Sequence, residues 1–227
     1  MIKKKTPNVD LNDYTLPDGT MLDEQVRKEI DEIRPIYQAA LREVITKIEI
    51  LDDDLQRKNY YVPIHYMESR IKSVASTIEK AERYGILDPI SNIDKVKDQI
   101  KDIAGVRVVC KYIDNLYYFS EYLIKQDNVE LVCIKDYCKT PKKSGYRSLH
   151  VVIKVPIYYL DRTLYVPVEI QFRTIAMDTW ASLEHELKYK NKGQVSEEMH
   201  ERLIDCANKL LEIDVQMEEI RKTIIKE

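Results

Sequence analysis

Ala104–Tyr112 reads AGVRVVCKY, and three further runs share its character: Val129–Tyr137 (VELVCIKDY), Ser148–Val155 (SLHVVIKV) and Thr163–Phe172 (TLYVPVEIQF). β-Branched and aromatic side chains fit a pleated, partly buried surface, so the centre of the chain predicts a sheet. Asp114–Gln126, between the first two runs, carries a helical pattern. Outward from this centre, apolar residues between Leu22 and Arg57 recur at steps of three and four (Val26, Ile30, Ile33, Tyr37, Leu41, Val44, Ile48). That spacing predicts an amphipathic helix, bent at Pro35. A second helix is predicted over Ile64–Tyr84, stopped by Gly85. Helical character returns over Ile175–Lys190 and Ser196–Lys226. Residues 1–20, with Pro7 and Pro17-Asp18-Gly19, read as an irregular arm, and residues 21–227 as one domain. The order predicts an α+β fold, a mixed β-sheet flanked by helices, with long N- and C-terminal helices that either self-associate or pack on each other within one subunit.

The chain has 227 residues, 44% of them apolar, which is enough for one core of ordinary size. Lysine and arginine number 36 against 39 acidic residues, so any anion binding must come from local basic clusters. Only five glycines occur, and none is spaced as a phosphate-binding glycine loop or a dinucleotide turn. Four cysteines lack the spacing of a structural zinc site. No apolar run is long enough for a membrane span and no export segment is legible, so a cytoplasmic protein with reduced thiols is expected.

Four constellations could carry chemistry. On a helix over residues 66–84, Lys72, Ser76, Lys80 and Arg83 form a narrow stripe apart from the apolar face, with Arg70 at its edge. Such a stripe offers an oligophosphate both charges and a hydroxyl donor; the bland alternative is a solvated helix face. Asp102 stands just before the strand that carries Arg107. Side chains five apart point to opposite faces of a strand, so the two share a site only if the strand bulges at Gly105 or Asp102 lies outside it. Lys139–His150 (KTPKKSGYRSLH) is a loop with Lys142, Lys143 and Arg147 around Tyr146, an aromatic face beside cations, followed by His150 on a strand. In Val168–Arg173 (VEIQFR), alternation puts Glu169, Gln171 and Arg173 on the face opposite Val168, Ile170 and Phe172, and a glutamate there needs a cation or water. Farther on, Trp180, Glu184 and Lys188 share one helical ridge, with His185 beside it reading as a packed or capping histidine. Together these describe a polyphosphate site with two carboxylates for Mg²⁺ and two cation clusters for two nucleotides.

The pieces RIKS (Arg70–Ser73), DIAGVR (Asp102–Arg107), PKKSGYRSLH (Pro141–His150), VEIQFRT (Val168–Thr174) and WASLEHELKYK (Trp180–Lys190) occur in this order. In them the chain resembles the small alarmone synthetases, single-domain relatives of the Rel/SpoT (p)ppGpp synthetases, over roughly residues 20–220. The resemblance implies a nucleotidyltransferase-like fold, a homotetramer, Mg²⁺ as cofactor and a place in the stringent response. It implies that the 3′-hydroxyl of GDP or GTP, with GMP as a further candidate acceptor, attacks the β-phosphorus of ATP and releases AMP. It also implies synthesis without degradation, because no histidine here is followed by aspartate as in the family's hydrolase domain. Carried over by position, Arg70 and Arg107 would enclose adenine, and Lys72, Ser76 and Lys80 would hold the ATP phosphates. Asp102 would ligate Mg²⁺, with Glu169 as second ligand or as base toward the 3′-hydroxyl. Tyr146 would stack on guanine between Lys142 and Lys143, His150 would touch phosphate, and Gln171 falls at a site position; Glu184 lies in a matching motif without an assigned role.

Two other readings compete. A nucleotidyltransferase acting on RNA or a small acceptor would show paired carboxylates on a strand, whereas Asp52-Asp53-Asp54 follows a helical stretch. A non-catalytic nucleotide or RNA binder would have little use for both Asp102 and Glu169.

Overall fold

A computed structural model describes residues 3–5, 14–59, 62–190 and 196–224. Its elements run β1 (Lys3–Lys5), α1 (Glu24–Asn59), β2 (Ile64–Ile71), α2 (Val74–Arg83), α3 (Ile93–Gln99), β3 (Ala104–Cys110), α4 (Ile113–Ile124), β4 (Glu130–Asp136), β5 (Leu149–Tyr159), β6 (Arg162–Thr174), α5 (Ile175–Lys190) and α6 (Glu197–Ile224). The strands form one mixed sheet in the order β1-β2-β3-β6-β5-β4. β3 and β6 are parallel neighbours, and β2 on one side and β5 on the other run antiparallel to them. This is the expected α+β architecture with long terminal helices. Among the described residues no helix is long and apolar enough to cross a membrane.

The inner strands bury one face completely. Val168, Ile170 and Phe172 of β6 join Ala104, Val106 and Val108 of β3 and Leu149, Val151 and Ile153 of β5. Over them lie α1, through Tyr37, Ala40, Leu41, Val44 and Ile48, and α4, through Leu116, Phe119 and Leu123. Each large aliphatic or aromatic side chain removed from water here contributes about 2 kcal/mol, as an upper estimate. The stripe on α1 fits the three- and four-residue steps of its sequence, and Pro35 sits inside the helix.

The segment Ile64–Tyr84 departs from the expected single helix. Ile64–Ile71 is a strand, paired with β3 from Ile64↔Cys110 to Ile71↔Ala104 and shifted in register between Ile64 and Tyr66. Met67 enters the core while Tyr66 faces the other side, and backbone pairing across two neighbours outweighs a helical spacing that the sequence also satisfies. Only Val74–Arg83 is helical. Ser73 starts it, in extended conformation with its hydroxyl accepting from the Ser76 N–H. Gly85 ends it at φ +79°, and the bonds Gly85 N–H to Glu82 O and Ile86 N–H to Ala81 O close a Schellman motif. Two other differences are smaller. Lys3–Lys5 of the supposed irregular arm pairs in parallel with β2, and α3 is a helix that the apolar pattern does not announce.

The C-terminal helix α6 crosses back over the β6–α5 corner. Thr174 donates its hydroxyl hydrogen to the Asp214 carboxylate and accepts from the Met177 N–H, so one side chain caps α5 and anchors α6. Glu218 accepts from the Asp114 N–H at the start of α4, and Arg221 pairs with the Asp114 carboxylate. α6 also rests on the loop before β5. Gly145 stands at φ +88°, and a Cβ there would lie 3.1 Å from Ala207 Cβ and 3.3 Å from Ile204 Cα. Burial, against the Thr174 hydrogen bond and helped by the nearby Glu218 charge, pushes the Asp214 carboxyl up from 3.8 to about 6. A raised carboxyl pKa means that the folded protein binds this proton more tightly than the unfolded chain. Stability from this group is therefore complete below about pH 4 and falls until about pH 6. Asp214→Asn is expected to be more stable than the parent by about 1–3 kcal/mol at pH 7.5 and no more stable at pH 4, as measured by urea unfolding; an equal gap at both pH values would contradict the desolvation argument.

Candidate active site

On the face of the sheet opposite the core, register gathers polar side chains from four strands. β6 contributes Glu169, Gln171 and Arg173. Parallel pairing puts Gly105 beside Glu169 and Arg107 beside Gln171. Antiparallel pairing puts His150 of β5 opposite Gln171, and Glu68 and Arg70 of β2 opposite Arg107 and Gly105. Gly105 presents no side chain, so the Arg70 stem passes over it. Arg70 and Arg107 are then diagonal neighbours, a relation that in sheets separates side-chain origins by about 7–8 Å.

At one end of this face stands Asp102. It lies outside β3, two residues before its start, which is how the parity constraint with Arg107 is met; β3 itself pairs with β6 without a bulge at Gly105. Lys72, on the turn after β2, reaches Asp102 Oδ2 at 3.0 Å, and Lys80, on α2, reaches the same oxygen at 2.7 Å. Burial opposes ionisation of Asp102, but the two ammonium groups outweigh it and hold the carboxyl below its usual range. The other oxygen, Oδ1, is buried without a hydrogen-bond partner. A buried carboxylate oxygen left open is a donor that a hard divalent ion takes, and no group of three or more metal-ligating side chains occurs among the described residues. Magnesium commonly binds in this way, through one or two carboxylates with phosphate and water completing its shell.

At the other end five side chains close a ring. Arg173 Nη2 donates to Tyr146 Oη at 2.8 Å and to Gln171 Oε1 at 3.2 Å. Tyr146 Oη lies 2.9 Å from His150 Nε2, and His150 Nδ1 lies 3.1 Å from Glu169 Oε1. Gln171 Nε2 donates to Glu169 Oε2 at 2.7 Å. Each Glu169 oxygen thus accepts one bond and keeps a lone pair free. Burial raises the Glu169 carboxyl, but His150, Gln171 and the charge of Lys80 bring it down to about 2. Lys80 therefore acts on both carboxylates: it touches Asp102, and its charge reaches Glu169. Lys142 holds its ammonium 4.8 Å from the ring centroids of both Tyr146 and Tyr137. Lys143 and Ser76 are exposed, Lys143 on that loop and Ser76 on the first turn of α2.

A family described as a region found in RelA/SpoT proteins matches residues 69–194, more than half of the chain. The chain belongs to the RelA/SpoT family. It is 37% identical over 189 residues to the GTP pyrophosphokinase YwaC of Bacillus subtilis, covering 83% of this chain and 89% of that protein. It resembles the crystal structure of small alarmone synthetase 1 from Bacillus subtilis bound to its product pppGpp, with a TM-score of 0.77 and 32% identity over 87% of this chain and 98% of that one. The same synthetase bound to AMPCPP matches with a TM-score of 0.72 and 29% identity, over 88% of this chain and all of the other.

The RelA/SpoT region thus contains every candidate site residue that the sequence singled out, although not all of them on the expected elements. Arg70 and Lys72 leave the predicted helix for a strand and a turn. The stripe over residues 66–84 therefore does not exist as one helical face, yet Lys72 and Lys80 still converge because Asp102 lies between their elements. His185 is exposed rather than packed, Trp180 is buried as expected, and the Lys188 side chain lies outside the described residues. Sequence reasoning missed Tyr66, Glu68 and Asp178. Arg107 pairs with Glu68 at 3.1 Å and lies 3.6 Å from Asp178, whose carboxylate also takes the Tyr66 hydroxyl. Reading Tyr66 and Glu68 as helical hid them; the alternation of β2 was the signal that could have found them. In Lys80→Met the Glu169 carboxyl carbon, followed by ¹³C NMR, is expected to titrate at a higher pH than in the parent, because one of the charges holding it down is gone; an unmoved midpoint would show that Lys80 and Glu169 belong to separate sites.

Proposed function

We propose that this chain is a (p)ppGpp synthetase. It transfers the β,γ-pyrophosphoryl group of ATP to the 3′-hydroxyl of GDP or GTP, with GMP as a further acceptor, and releases AMP. The observation that carries the reading is one sheet face on which Lys72 and Lys80 hold Asp102 while His150 and Gln171 hold Glu169. Two polyanions that meet there find cations from α2 and the β2 turn on the donor side and from the Lys139–His150 loop on the acceptor side. The relatives support the same pair of substrates: one is named a GTP pyrophosphokinase, and structures of another hold pppGpp and AMPCPP.

Catalysis of this transfer is mainly positioning and charge neutralisation. Arg70 and Arg107 clamp the adenine, since guanidinium planes stack well and are weakly hydrated. Lys72 on the turn before α2, Ser76 in its first turn and Lys80 in its last turn take the donor phosphates. Tyr146 supports the guanine, flanked by Lys142 and Lys143, and His150 and Gln171 hold the acceptor beside Glu169. The acceptor 3′-oxygen forms a bond to the β-phosphorus as the bond from that phosphorus to the bridging oxygen breaks, and AMP departs with that oxygen. Glu169, with its pKa near 2, stays ionised and keeps a lone pair for the 3′-hydroxyl hydrogen. Asp102 and Glu169 are the residues that would hold magnesium, which would neutralise phosphate charge and acidify the hydroxyl. Homotetramers built through the terminal helices complete the proposal; Ile50 on α1 and Ile213, Met217, Ile220 and Ile224 on α6 are exposed apolar side chains that a partner would cover.

Incubation with Mg²⁺, ATP and labelled GDP tests the reading: AMP and a pyrophosphorylated guanosine product are expected. Release of pyrophosphate would instead indicate nucleotidyl transfer. Asp102→Asn and Glu169→Gln are each expected to lower turnover by at least ~10³-fold with the circular dichroism spectrum retained; near-normal turnover in either folded variant would reject the assignment. Tyr146→Ala should weaken GDP binding far more than ATP binding, and equal losses would count against the stacking role.

A further inference from the structure

Arg173 is 6% exposed and Asp178 7%, and neither is assigned a part in the transfer described above. Arg173 Nη1 donates to Asp178 Oδ1 at 3.0 Å, while Nη2 is spent on Tyr146 Oη at 2.8 Å and Gln171 Oε1 at 3.2 Å. Asp178 is fixed in turn by the Tyr66 hydroxyl on its second oxygen and faces Arg107 Nε at 3.6 Å. A buried ion pair is weak evidence for stability, because desolvation cancels much of its attraction and an apolar pair of like volume often serves as well. Its hydrogen bonds show what this pair does instead. One guanidinium grips a carboxylate on the first turn of α5 and, with its other nitrogen, a phenol on the loop before β5. Lysine has three donors on one nitrogen but no rigid fork, so it could not hold the carboxylate and the phenol at the separation that two guanidinium nitrogens span. Tyr146 is the only residue of this network that lies on a loop. Its loop is braced from behind by Ala207 against Gly145 and by the Arg147 bond to Asn208.

We propose that Arg173 and Asp178 are positioning residues for the acceptor nucleotide: the buried pair holds Tyr146 by its phenol oxygen and so sets the angle at which its ring receives the base. This rests on the assignment of Tyr146 to the acceptor under the proposed function. The pair acts through Tyr146 and touches no reacting atom, so its loss shows in acceptor affinity more than in the chemical step. Preorganising a platform on a loop saves the ordering cost that binding would otherwise carry.

The test compares Arg173→Lys, which keeps the charge and loses the fork, with Tyr146→Phe, which keeps the ring and loses the oxygen. Calorimetry gives GDP affinity, AMP release gives KM for each substrate and kcat, and thermal unfolding reports the fold. Each variant should raise the GDP KM and Kd about tenfold, the effect of one hydrogen bond to a charged group, with the ATP KM within twofold and kcat within threefold. The double variant should lose less than the product of the two single losses, because the Arg173–Tyr146 bond is removed by both. Tyr146→Phe also gives up the contact to His150, and Arg173→Lys the fork to Gln171 and Asp178. Multiplying losses in the double variant, equal losses for GDP and ATP, or an unchanged GDP affinity in Tyr146→Phe would each overturn the proposal. If Arg173→Lys does not fold, Tyr146→Phe on its own decides. A parent protein that binds GDP and releases AMP while Tyr146→Phe matches it defeats the positioning role alone; a parent that does neither defeats the proposed function and this role with it.

Discussion

A one-residue slip of β6 against its neighbours would turn Glu169, Gln171 and Arg173 into the core and push Val168, Ile170 and Phe172 toward solvent. The register of that strand is the constraint on which the site depends. It is held from both sides, by parallel pairing with β3 and by an antiparallel ladder with β5 that runs from Leu149↔Phe172 to Tyr159↔Arg162. The apolar face packed under α1 and α4 enforces it, so the core specifies the chemistry indirectly. Every kilocalorie gained by burying Phe172 and Ile170 also aims Glu169 at the opposite face.

That face then solves an electrostatic problem. Two nucleotides and two carboxylates are all negative, and their approach is opposed unless cations stand between them. Lys72 and Lys80 are paired with Asp102, so a carboxylate holds in place the charges that phosphate would recruit. The same arrangement keeps both acids ionised despite burial, Glu169 down to about pH 2. A carboxylate so acidic is a weak base, so the account needs the 3′-hydroxyl to be acidified before its hydrogen can pass to Glu169.

Much of this was legible in the chain, and the failures have physical causes. Alternation in β6 and the charge of the Lys139–His150 loop could be read directly, because a strand's period and a run of cations without acids are local properties. The segment around Arg70 could not, because Met67, Arg70, Ile71, Val74 and Ile78 satisfy helical spacing whether or not the first three residues are in a helix. Pairing with β3 settled it, and that pairing is nonlocal. The Tyr66–Asp178–Arg173 cluster joins residues more than a hundred positions apart through a sheet and a helix start, so no sequence window contains it. His185 differs for a simpler reason: its place beside the ridge of Trp180 suggests a packed or capping histidine, but its side chain is exposed on α5.

The central claim is that Asp102 and Glu169 serve one reaction between two bound purine nucleotides. It is tested most directly by a crystal structure of the protein with GDP, a non-hydrolysable ATP analogue and Mg²⁺. The account predicts donor phosphates on Lys72 and Lys80, a magnesium ion on Asp102 Oδ1, and the acceptor 3′-oxygen within hydrogen-bond reach of Glu169. Nucleotides bound away from this sheet face, or the two carboxylates turned toward different ligands, would contradict it.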